Sequence, residues 1–231
     1  MTKRLHYNSV VFDLDGTLLH TWPGLLAAVE HAGLLAPDRL DKIALMRALS
    51  VGINAMLLEA LRQAAVPADA TTASLQRLRH AYESNWLCKA QPYDGAAELL
   101  RHLQQTGMRM GLCTNRDSRT TQILLDRLGW TSHFASVVCI DQVSCPKPDA
   151  AHLLAVLDAL GSNVEDGLYV GDSAVDARCA ATAQVDFAAH AAGYRLDPQD
   201  LHPQCFAFDH HAALQNWLES FATVPQESAH G

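Results

Sequence analysis

The chain has 231 residues, of which 49% are hydrophobic and 18% are charged, and its formal net charge is -8. This balance predicts a packed globular protein and argues against a disordered chain. Because the net charge is negative, binding to nucleic acid or to an acidic membrane surface is disfavoured, and a small anionic substrate would need a local positive site or a cation.

The first apolar run extends from Ser9 to Asp13 and has the length of a buried strand, with Gly16 as a turn signal after it. It is too short to be the apolar region of a signal peptide, and no later stretch of the sequence could span a bilayer. We therefore expect a cytoplasmic protein with no membrane partner.

Residues 19–90 interrupt any strand pattern and show helical patterns instead, punctuated by a turn at Gly52 and by Pro67. The four predicted helices are Pro23 to His31, Asp38 to Leu49, Ile53 to Ala65 and Thr71 to Leu87. We predict a helical cap domain over residues 19–90, inserted into a core formed by residues 1–18 and 91–231.

After the insert, strand-like and helical patterns alternate. The predicted strands are Met108 to Cys113, Ser136 to Ile140, Leu168 to Val170, Val185 to Ala189 and Cys205 to Phe208. Three helical patterns lie among them: one before Gly107, one capped by Ser118 and ending at Gly129, and one ending at Gly161. This alternation predicts an α/β fold with a Rossmann-like parallel sheet, covered by helices on both faces and carrying an inserted all-helical cap domain.

The six cysteines form no C-x-x-C pair, so the sequence signals neither a zinc site nor a redox motif. We expect them to be buried or half-buried thiols. The adjacent His210 and His211 lack a metal-ligand partner at useful spacing, and we expect them in a loop or at the start of a helix. We expect the tail from Pro225 to Gly231 to be loose.

Polar groups follow three of the predicted strands. The sequence Asp13-Leu14-Asp15-Gly16-Thr17 follows the first, Thr114-Asn115 the second, and the segment from Gly171 to Asp176 the fourth. Aspartate and glycine after one strand would make an ordinary turn. In an open parallel sheet, however, ligands bind beyond the carboxyl ends of the strands. We therefore predict that three strands present carboxylates and a hydroxyl to one crevice.

Carboxylates gathered in one crevice repel one another unless a cation lies between them. Magnesium prefers oxygen ligands and keeps some of its waters, so two or three carboxylates and a substrate phosphate suit it. Nitrogen or sulfur ligands at zinc spacing are absent from the sequence. We therefore predict Mg²⁺ as the cofactor.

These motifs resemble the haloacid dehalogenase-like hydrolase superfamily and, within it, the phosphoglycolate phosphatase-like branch. D-L-D-G-T-L at Asp13 matches the first motif of the superfamily, Thr114-Asn115 the second, Lys147-Pro148 the third, and G-D-S-x-x-D from Gly171 to Asp176 the fourth. The resemblance covers nearly the whole chain, and the helical insert lies where that branch carries its cap domain.

The resemblance implies a magnesium-dependent phosphomonoester hydrolase acting on a small phosphorylated metabolite, with phosphoglycolate as the best candidate. Asp13 would form an aspartyl-phosphate intermediate, and Asp15 would protonate the leaving oxygen and later deprotonate the attacking water. Thr114, the backbone N–H of Asn115 and Lys147 would hold the phosphoryl oxygens.

The resemblance also implies a ligand set for the metal. Asp13, Asp172 and the backbone carbonyl of Asp15 would hold Mg²⁺, with Asp176 close by or acting through water. Arg116 is either a surface residue or a residue near the substrate.

The turn at Gly52 leads into the helix predicted from Ile53, and the corresponding turn of this branch faces the active site. A helix N-terminus carries unpaired N–H groups, so this turn is a candidate to bind a substrate carboxylate. Gly52 would let the backbone approach the ligand closely. If Gly52 merely separates two helices, the turn has no such role.

Three alternatives remain open at this stage: a phosphosugar mutase of the same fold, a dehalogenase, and a non-catalytic binding protein. The mutase ranks lower because the cap turn lacks a basic sugar-reading stretch, and the dehalogenase would not need Asp15 or the metal-binding carboxylates. The chain departs from the pattern of its relatives at His20, Gln184 and Asp149, which weakens any inference about the identity of the substrate. We expect a monomer or a homodimer.

Overall fold

The computed structural model describes residues 7–85, 87–195 and 197–222 of the chain. Its strands are β1 (Ser9–Phe12), β2 (Leu19–His20), β3 (Gln91–Pro92), β4 (Arg109–Thr114), β5 (Ser136–Cys139), β6 (Gly167–Gly171), β7 (Asp186–His190) and β8 (Phe206–Phe208). Six of them form one parallel sheet in the order β5-β4-β1-β6-β7-β8. The predicted α/β class and parallel sheet are confirmed.

The helices are α1 (Trp22–His31), α2 (Lys42–Leu49), α3 (Ile53–Gln63), α4 (Ala68–Asn85), α5 (Ala96–Gln105), α6 (Ser118–Leu128), α7 (Ala150–Leu160), α8 (Ala174–Ala183) and α9 (His211–Ala222). Alternate residues of β1 pack on opposite faces of the sheet, as the pleat requires. Val10 and Phe12 belong to the cluster that contains the leucines of α5, whereas Val11 packs with those of α7. Helices therefore cover both faces of the sheet.

The sheet order places a topological switch at β1. The chain leaves β1 toward β4 and β5 on one side and returns to β6 on the other. Connections that diverge in this way leave a crevice beyond the carboxyl ends of the strands, where open α/β sheets bind their ligands. We therefore expect the functional site among the residues that follow β1, β4 and β6.

Helices α1 to α4 occupy the segment between β2 and β3, close to the predicted bounds. Helix α2 begins at Lys42 rather than near Asp38, because Asp41 caps it by accepting a hydrogen bond from the Ala44 N–H (3.0 Å). Strands β2 and β3 pair antiparallel and join the two ends of the insert. Each of these two strands has only two residues, which is too short for a sequence pattern to predict it. The division into a cap and a core domain stays a prediction.

Helices α8 and α9 went unrecognised in the sequence. The buried face of α8 consists mainly of small residues such as Ala177 and Ala180, so its hydrophobic period is weak. His211 is the first residue of α9, which confirms the expected helix-start position of the histidine pair. The cap of α6 is Asp117 rather than Ser118, because the Asp117 carboxylate accepts the N–H of Thr120 at 3.0 Å.

The expectation of buried or half-buried cysteines holds for Cys113, Cys139 and Cys179 and is wrong for the other three. Those three, which lie in short connections at the surface where burial is uncommon, are Cys88, Cys145 and Cys205. The expected loose tail, 225–231, lies outside the described residues. Within the described ranges, no helix is both long enough and apolar enough to cross a membrane.

Gln184 ends α8 in the left-handed conformation, with φ of 58°. In this conformation a residue that carries a Cβ is about 1–2 kcal/mol less stable than glycine. Glycine has a larger entropy in the unfolded chain, and this entropy offsets roughly 0.4–1 kcal/mol of that difference. We therefore expect Gln184→Gly to raise the free energy of unfolding by about 0.5–1 kcal/mol in urea denaturation. Gln184→Ala, which keeps the Cβ, is the matched control and should stay near wild type. A glycine variant less stable than the alanine variant would refute this explanation.

Candidate active site

One cavity lies at the carboxyl ends of β1, β4 and β6, and it gathers the predicted site residues from separate parts of the sequence. The predicted residues that line it are Asp13, Asp15, Gly52, Thr114, Asn115, Lys147, Asp172 and Asp176. Arg116 is the one predicted site residue that does not line it. Helix α3 and the turn before it close the cavity on the side opposite the sheet, through Ser50, Gly52 and Ile53.

Lys147 connects two of the carboxylates. Its Nζ donates hydrogen bonds to Asp13 Oδ1 (2.7 Å), to Asp176 Oδ1 (2.7 Å) and to the Tyr169 hydroxyl (3.0 Å). Burial opposes the charged form of this lysine, but the charges of Asp13 and Asp176 outweigh it and raise the pKa of Lys147 well above its usual value. Lys147 therefore remains a cation in the floor of the cavity.

Asp176 is the best-satisfied carboxylate of the group. Besides Lys147, its oxygens accept the hydroxyls of Tyr169 (2.7 Å) and Ser173 (2.6 Å). Burial disfavours the ionised form, yet the lysine charge and these hydrogen bonds together lower the pKa of Asp176. This carboxylate is thus held ionised and fixed in orientation at the start of α8.

Asp172 is the least-neutralised carboxylate of the group. It accepts the Thr17 hydroxyl (2.9 Å) and the Tyr194 backbone N–H (2.6 Å), which are neutral donors, and it forms no ion pair with any described lysine or arginine. Burial, together with the negative charges of Asp176 and Asp13, raises the pKa of Asp172 well above its usual value. A further cation is needed if this carboxylate is to be ionised.

The arrangement fits a hard divalent cation. Asp13, Asp172 and Asp176 each offer an oxygen, and the three oxygens lie within 4.8 Å of one another. The single charge of Lys147 cannot balance three buried carboxylates, so a divalent ion would remove the remaining repulsion. Oxygen-only ligands favour magnesium over zinc.

Two glycines let the backbone close around Asp172. A Cβ on Gly16, whose φ is +92°, would lie 2.2 Å from Asp172 Oδ2, and one on Gly193 would lie 2.3 Å from Asp172 Cβ. Neither position can carry a side chain without displacing the carboxylate. Tyr194 lines the cavity and Gly193 approaches Asp172 closely, and neither is predicted from the sequence because no motif marks the loop after β7.

Asp15 forms a bidentate ion pair with Arg116. Arg116 Nε donates to Asp15 Oδ2 (2.9 Å) and Nη2 donates to Oδ1 (2.6 Å), while Nη1 donates to the Tyr82 hydroxyl of α4 (3.2 Å). Burial opposes the charge of Arg116, but Asp15 outweighs it and raises the pKa of the guanidinium. Because Arg116 is only 1% exposed, the expected surface position is wrong, and the expected position near the substrate stays a prediction.

Thr114 and Asn115 end β4 beside Lys147. The Thr114 hydroxyl accepts the Arg116 N–H at 3.2 Å. The Asn115 side chain donates to the carbonyls of Lys147 (3.0 Å) and Ser50 (3.3 Å), so it links the lysine loop to the turn between α2 and α3. These contacts fix the loop after β4 against both walls of the cavity.

Gly52 precedes α3 with φ of 145°, a conformation that only glycine adopts readily. A Cβ there would lie 3.1 Å from the Asn115 carbonyl oxygen, a tight contact that adds to the conformational preference for glycine. Its own N–H already donates to Leu49 O at 2.9 Å. Any anion at this turn would therefore have to use the first N–H groups of α3, which lack partners within a helix.

A second cavity, with a volume of about 390 Å³, adjoins the first through Ser50, Ser173 and Tyr194. Three arginines line it, one from α2, one from α8 and one from the loop after β7: Arg47, Arg178 and Arg195. None of the three forms an ion pair with a carboxylate in the described part of the chain. Asp200 lines the same cavity, so three arginines face one carboxylate there. In a protein with a net charge of -8, this is a local positive surface beside the carboxylate cluster.

The sequence profile of the haloacid dehalogenase-like hydrolase family matches residues 10–190 of the chain. A phosphoglycolate phosphatase from Rhodospirillum rubrum is 36% identical over 219 residues, which cover 91% of this chain and 90% of the relative. Another from Cereibacter sphaeroides is 36% identical over 214 residues, 90% of this chain and 96% of the relative.

Among solved structures, a predicted phosphoglycolate phosphatase from Haemophilus somnus 129pt superposes with a TM-score of 0.83 at 22% identity. The superposition covers 94% of this chain and 99% of the other. At that identity the likeness concerns the fold alone.

Proposed function

This chain belongs to the haloacid dehalogenase-like hydrolase family, and on that premise we propose that it hydrolyses phosphate monoesters of small metabolites. The relatives named above, which are phosphoglycolate phosphatases, support this assignment. The observation that carries it is the buried Asp13 carboxylate at the end of β1, held by Lys147 next to Asp172 and Asp176. That group of charges suits an in-line transfer of a phosphoryl group to a carboxylate oxygen.

In the proposed reaction, an oxygen of Asp13 bonds to phosphorus while the bond from phosphorus to the leaving oxygen breaks. Asp15 is the ionised partner of Arg116 in the resting structure, so it takes up a proton from solvent before this step and then gives that proton to the leaving oxygen. A water then attacks the phosphorus of the aspartyl-phosphate, Asp15 takes a proton from the water, and phosphate leaves as Asp13 is regenerated. Lys147, the Thr114 hydroxyl and the Asn115 backbone N–H hold the phosphoryl oxygens.

The carboxylates of Asp13 and Asp172 and the backbone carbonyl of Asp15 would hold Mg²⁺, with Asp176 beside them. When bound, the ion neutralises the charge of the phosphoryl group and of the carboxylates that surround it. Asp176 in turn keeps Lys147 in place through their 2.7 Å hydrogen bond.

The surroundings of the site support a substrate whose leaving group is small and acidic. The cavity lined by Arg47, Arg178 and Arg195 adjoins the carboxylate cluster, and the N-terminus of α3 closes the same mouth. Both features favour an anion. Phosphoglycolate, which carries a carboxylate next to the ester, fits this environment better than a polyhydroxylated sugar phosphate.

The test is phosphate release from phosphoglycolate, ethyl phosphate and hexose phosphates at one Mg²⁺ concentration. We expect the highest kcat/KM for phosphoglycolate. Neutralising the arginine-lined cavity with Arg47→Gln, Arg178→Gln or Arg195→Gln should lower kcat/KM for phosphoglycolate by about 10-fold in the most affected variant. The value for ethyl phosphate should change by less than about 2-fold, since that ester lacks the carboxylate.

Arg127→Gln is the matched control, because it removes the same charge from an exposed position on α6 that lines neither cavity. Hexose phosphates as the best substrates would refute the proposed substrate class and leave the phosphatase assignment intact. Folded protein that releases phosphate from none of these esters would refute the assignment itself.

A further inference from the structure

We propose that Arg116 is a positioning residue that sets the orientation of Asp15 and connects it to α4 through Tyr82. The inference rests on the proposed function, since it concerns the residue assigned as the acid and base. It gives Arg116 a role that differs from substrate binding.

The geometry of the guanidinium carries the argument. Arg116 approaches Asp15 side-on, with one N–H to each carboxylate oxygen (2.9 and 2.6 Å), which fixes the plane of the carboxylate as well as its distance. A bidentate pair of this kind defines a single orientation, whereas a lysine would bind as a point charge. The Asp15 side chain is thus held in one orientation at the edge of the cavity that it lines.

Tyr82 binds the third nitrogen of the same guanidinium. Its hydroxyl accepts Arg116 Nη1 at 3.2 Å, and the tyrosine is 1% exposed, so the pair is shielded from water. The nitrogens of Arg116 are thereby divided between Asp15, which follows β1, and Tyr82, which belongs to α4 of the insert. A displacement of α4 would move Tyr82 relative to Arg116 and so change how Asp15 is held.

Neighbouring residues of α4 face the loop after β4 and the first turn of α6. Arg79 Nη2 lies 3.2 Å from Asp117 Oδ2, and Glu83 pairs with Arg119. With Tyr82, these residues form one face of the helix, since residues three and four apart lie side by side. Helix α4 therefore contacts the loop that carries Arg116 and the start of α6 through these polar pairs, of which only the Tyr82 pair leads to Asp15.

The effect of Arg116 on Asp15 can be measured by comparing esters that differ in their leaving group. Proton donation by Asp15 matters for an alkoxide, which leaves poorly, and matters little for p-nitrophenolate, which leaves readily without a proton. If Arg116 orients Asp15, its loss should slow alkyl esters selectively. If Arg116 only stabilises the fold, both classes of ester should slow by the same factor.

The experiment compares kcat/KM for ethyl phosphate and p-nitrophenyl phosphate in wild type, Arg116→Lys, Tyr82→Phe and Asp15→Asn, because kcat/KM reports the step in which the leaving group departs and excludes the hydrolysis of the aspartyl-phosphate that both esters share. We expect Arg116→Lys to lower kcat/KM for ethyl phosphate by roughly 30-fold or more and kcat/KM for p-nitrophenyl phosphate by less than about 3-fold. Tyr82→Phe, which keeps the ring packed, should show a smaller loss with the same selectivity. Adding Arg116→Lys to Asp15→Asn should cause little further loss, since the two act as a unit.

Arg119→Lys is the matched control: Arg119 lies in the first turn of α6, three residues after Arg116, and pairs with the same helix α4 but does not pair with Asp15. It should leave both rates near wild type. Equal loss of both esters in Arg116→Lys and Tyr82→Phe, or unchanged rates in both, would overturn the inference. If Arg116→Lys does not fold, the inference is tested by Tyr82→Phe alone: it stands if this variant slows ethyl phosphate more than p-nitrophenyl phosphate, and it fails if both slow equally. If wild-type protein hydrolyses neither ester, the proposed function fails instead.

Discussion

Asp13→Asn is expected to lower kcat by roughly 10⁴-fold or more while the protein stays folded. The amide cannot attack phosphorus, so the route through an aspartyl-phosphate is closed. The fold should survive because Lys147, which loses Asp13 as a partner, keeps its 2.7 Å hydrogen bond to Asp176 and its contact with Tyr169. The measurement is phosphate release at saturating substrate, with circular dichroism to check the fold.

Asp158→Asn is the control for the loss of one carboxylate, since Asp158 is exposed on α7 and lines neither cavity near the site. It should retain wild-type activity. Asp13→Asn activity above about a tenth of wild type would correspond to a barrier change of only ~1.4 kcal/mol. That result would exclude Asp13 as the nucleophile.

Removal of divalent metal is expected to abolish turnover, and added Mg²⁺ is expected to restore it. Asp13 and Asp176 share one lysine, and Asp172 beside them is held only by the neutral donors of Thr17 and Tyr194. Calcium should bind without supporting activity, because it takes more ligands at longer distances and would disturb the in-line arrangement. The assay is phosphate release after exhaustive chelation and after addition of each ion.

A second readout of the metal site does not depend on turnover. Magnesium bound to the folded state should raise the Tm of wild-type protein by mass action. Asp172→Asn should reduce that increase, because it removes one of the proposed ligands. Full activity in the presence of excess chelator, or an equal increase in Tm for wild type and Asp172→Asn, would contradict the metal assignment.

Much of the fold and most of the candidate site follow from short-range sequence signals. The carboxylates of Asp13, Asp15 and Asp172 come directly after apolar runs of strand length, and the parallel sheet then brings the ends of those strands together. That reasoning needs only the strand period and the direction of the strands. It predicted that these carboxylates meet in one cavity, whereas Lys147 and Gly52 were predicted from the family resemblance, and the catalytic roles of all these residues stay predictions.

The errors concern features that depend on contacts between distant segments. Nothing near Tyr82 or Tyr194 in the sequence marks them as neighbours of Asp15 or Asp172, because their contacts exist only once α4 and the loop after β7 pack against the sheet. The surface position considered for Arg116 is wrong for the same reason, since its burial depends on Asp15, 101 residues away. Pairs as short as β2 and β3 carry no periodicity, and the alanines of α8 give little amphipathic contrast.

The central claim, that Asp13 carries the phosphoryl group during turnover, can be tested most directly by chemical trapping. Borohydride reduces an acyl phosphate to the alcohol, so quenching the enzyme during steady turnover should convert the trapped aspartate into homoserine. Peptide mass spectrometry should then find homoserine at position 13, only when substrate and Mg²⁺ are both present. Homoserine at position 15 or 172 instead, or no reduced residue while phosphate is released, would contradict the account.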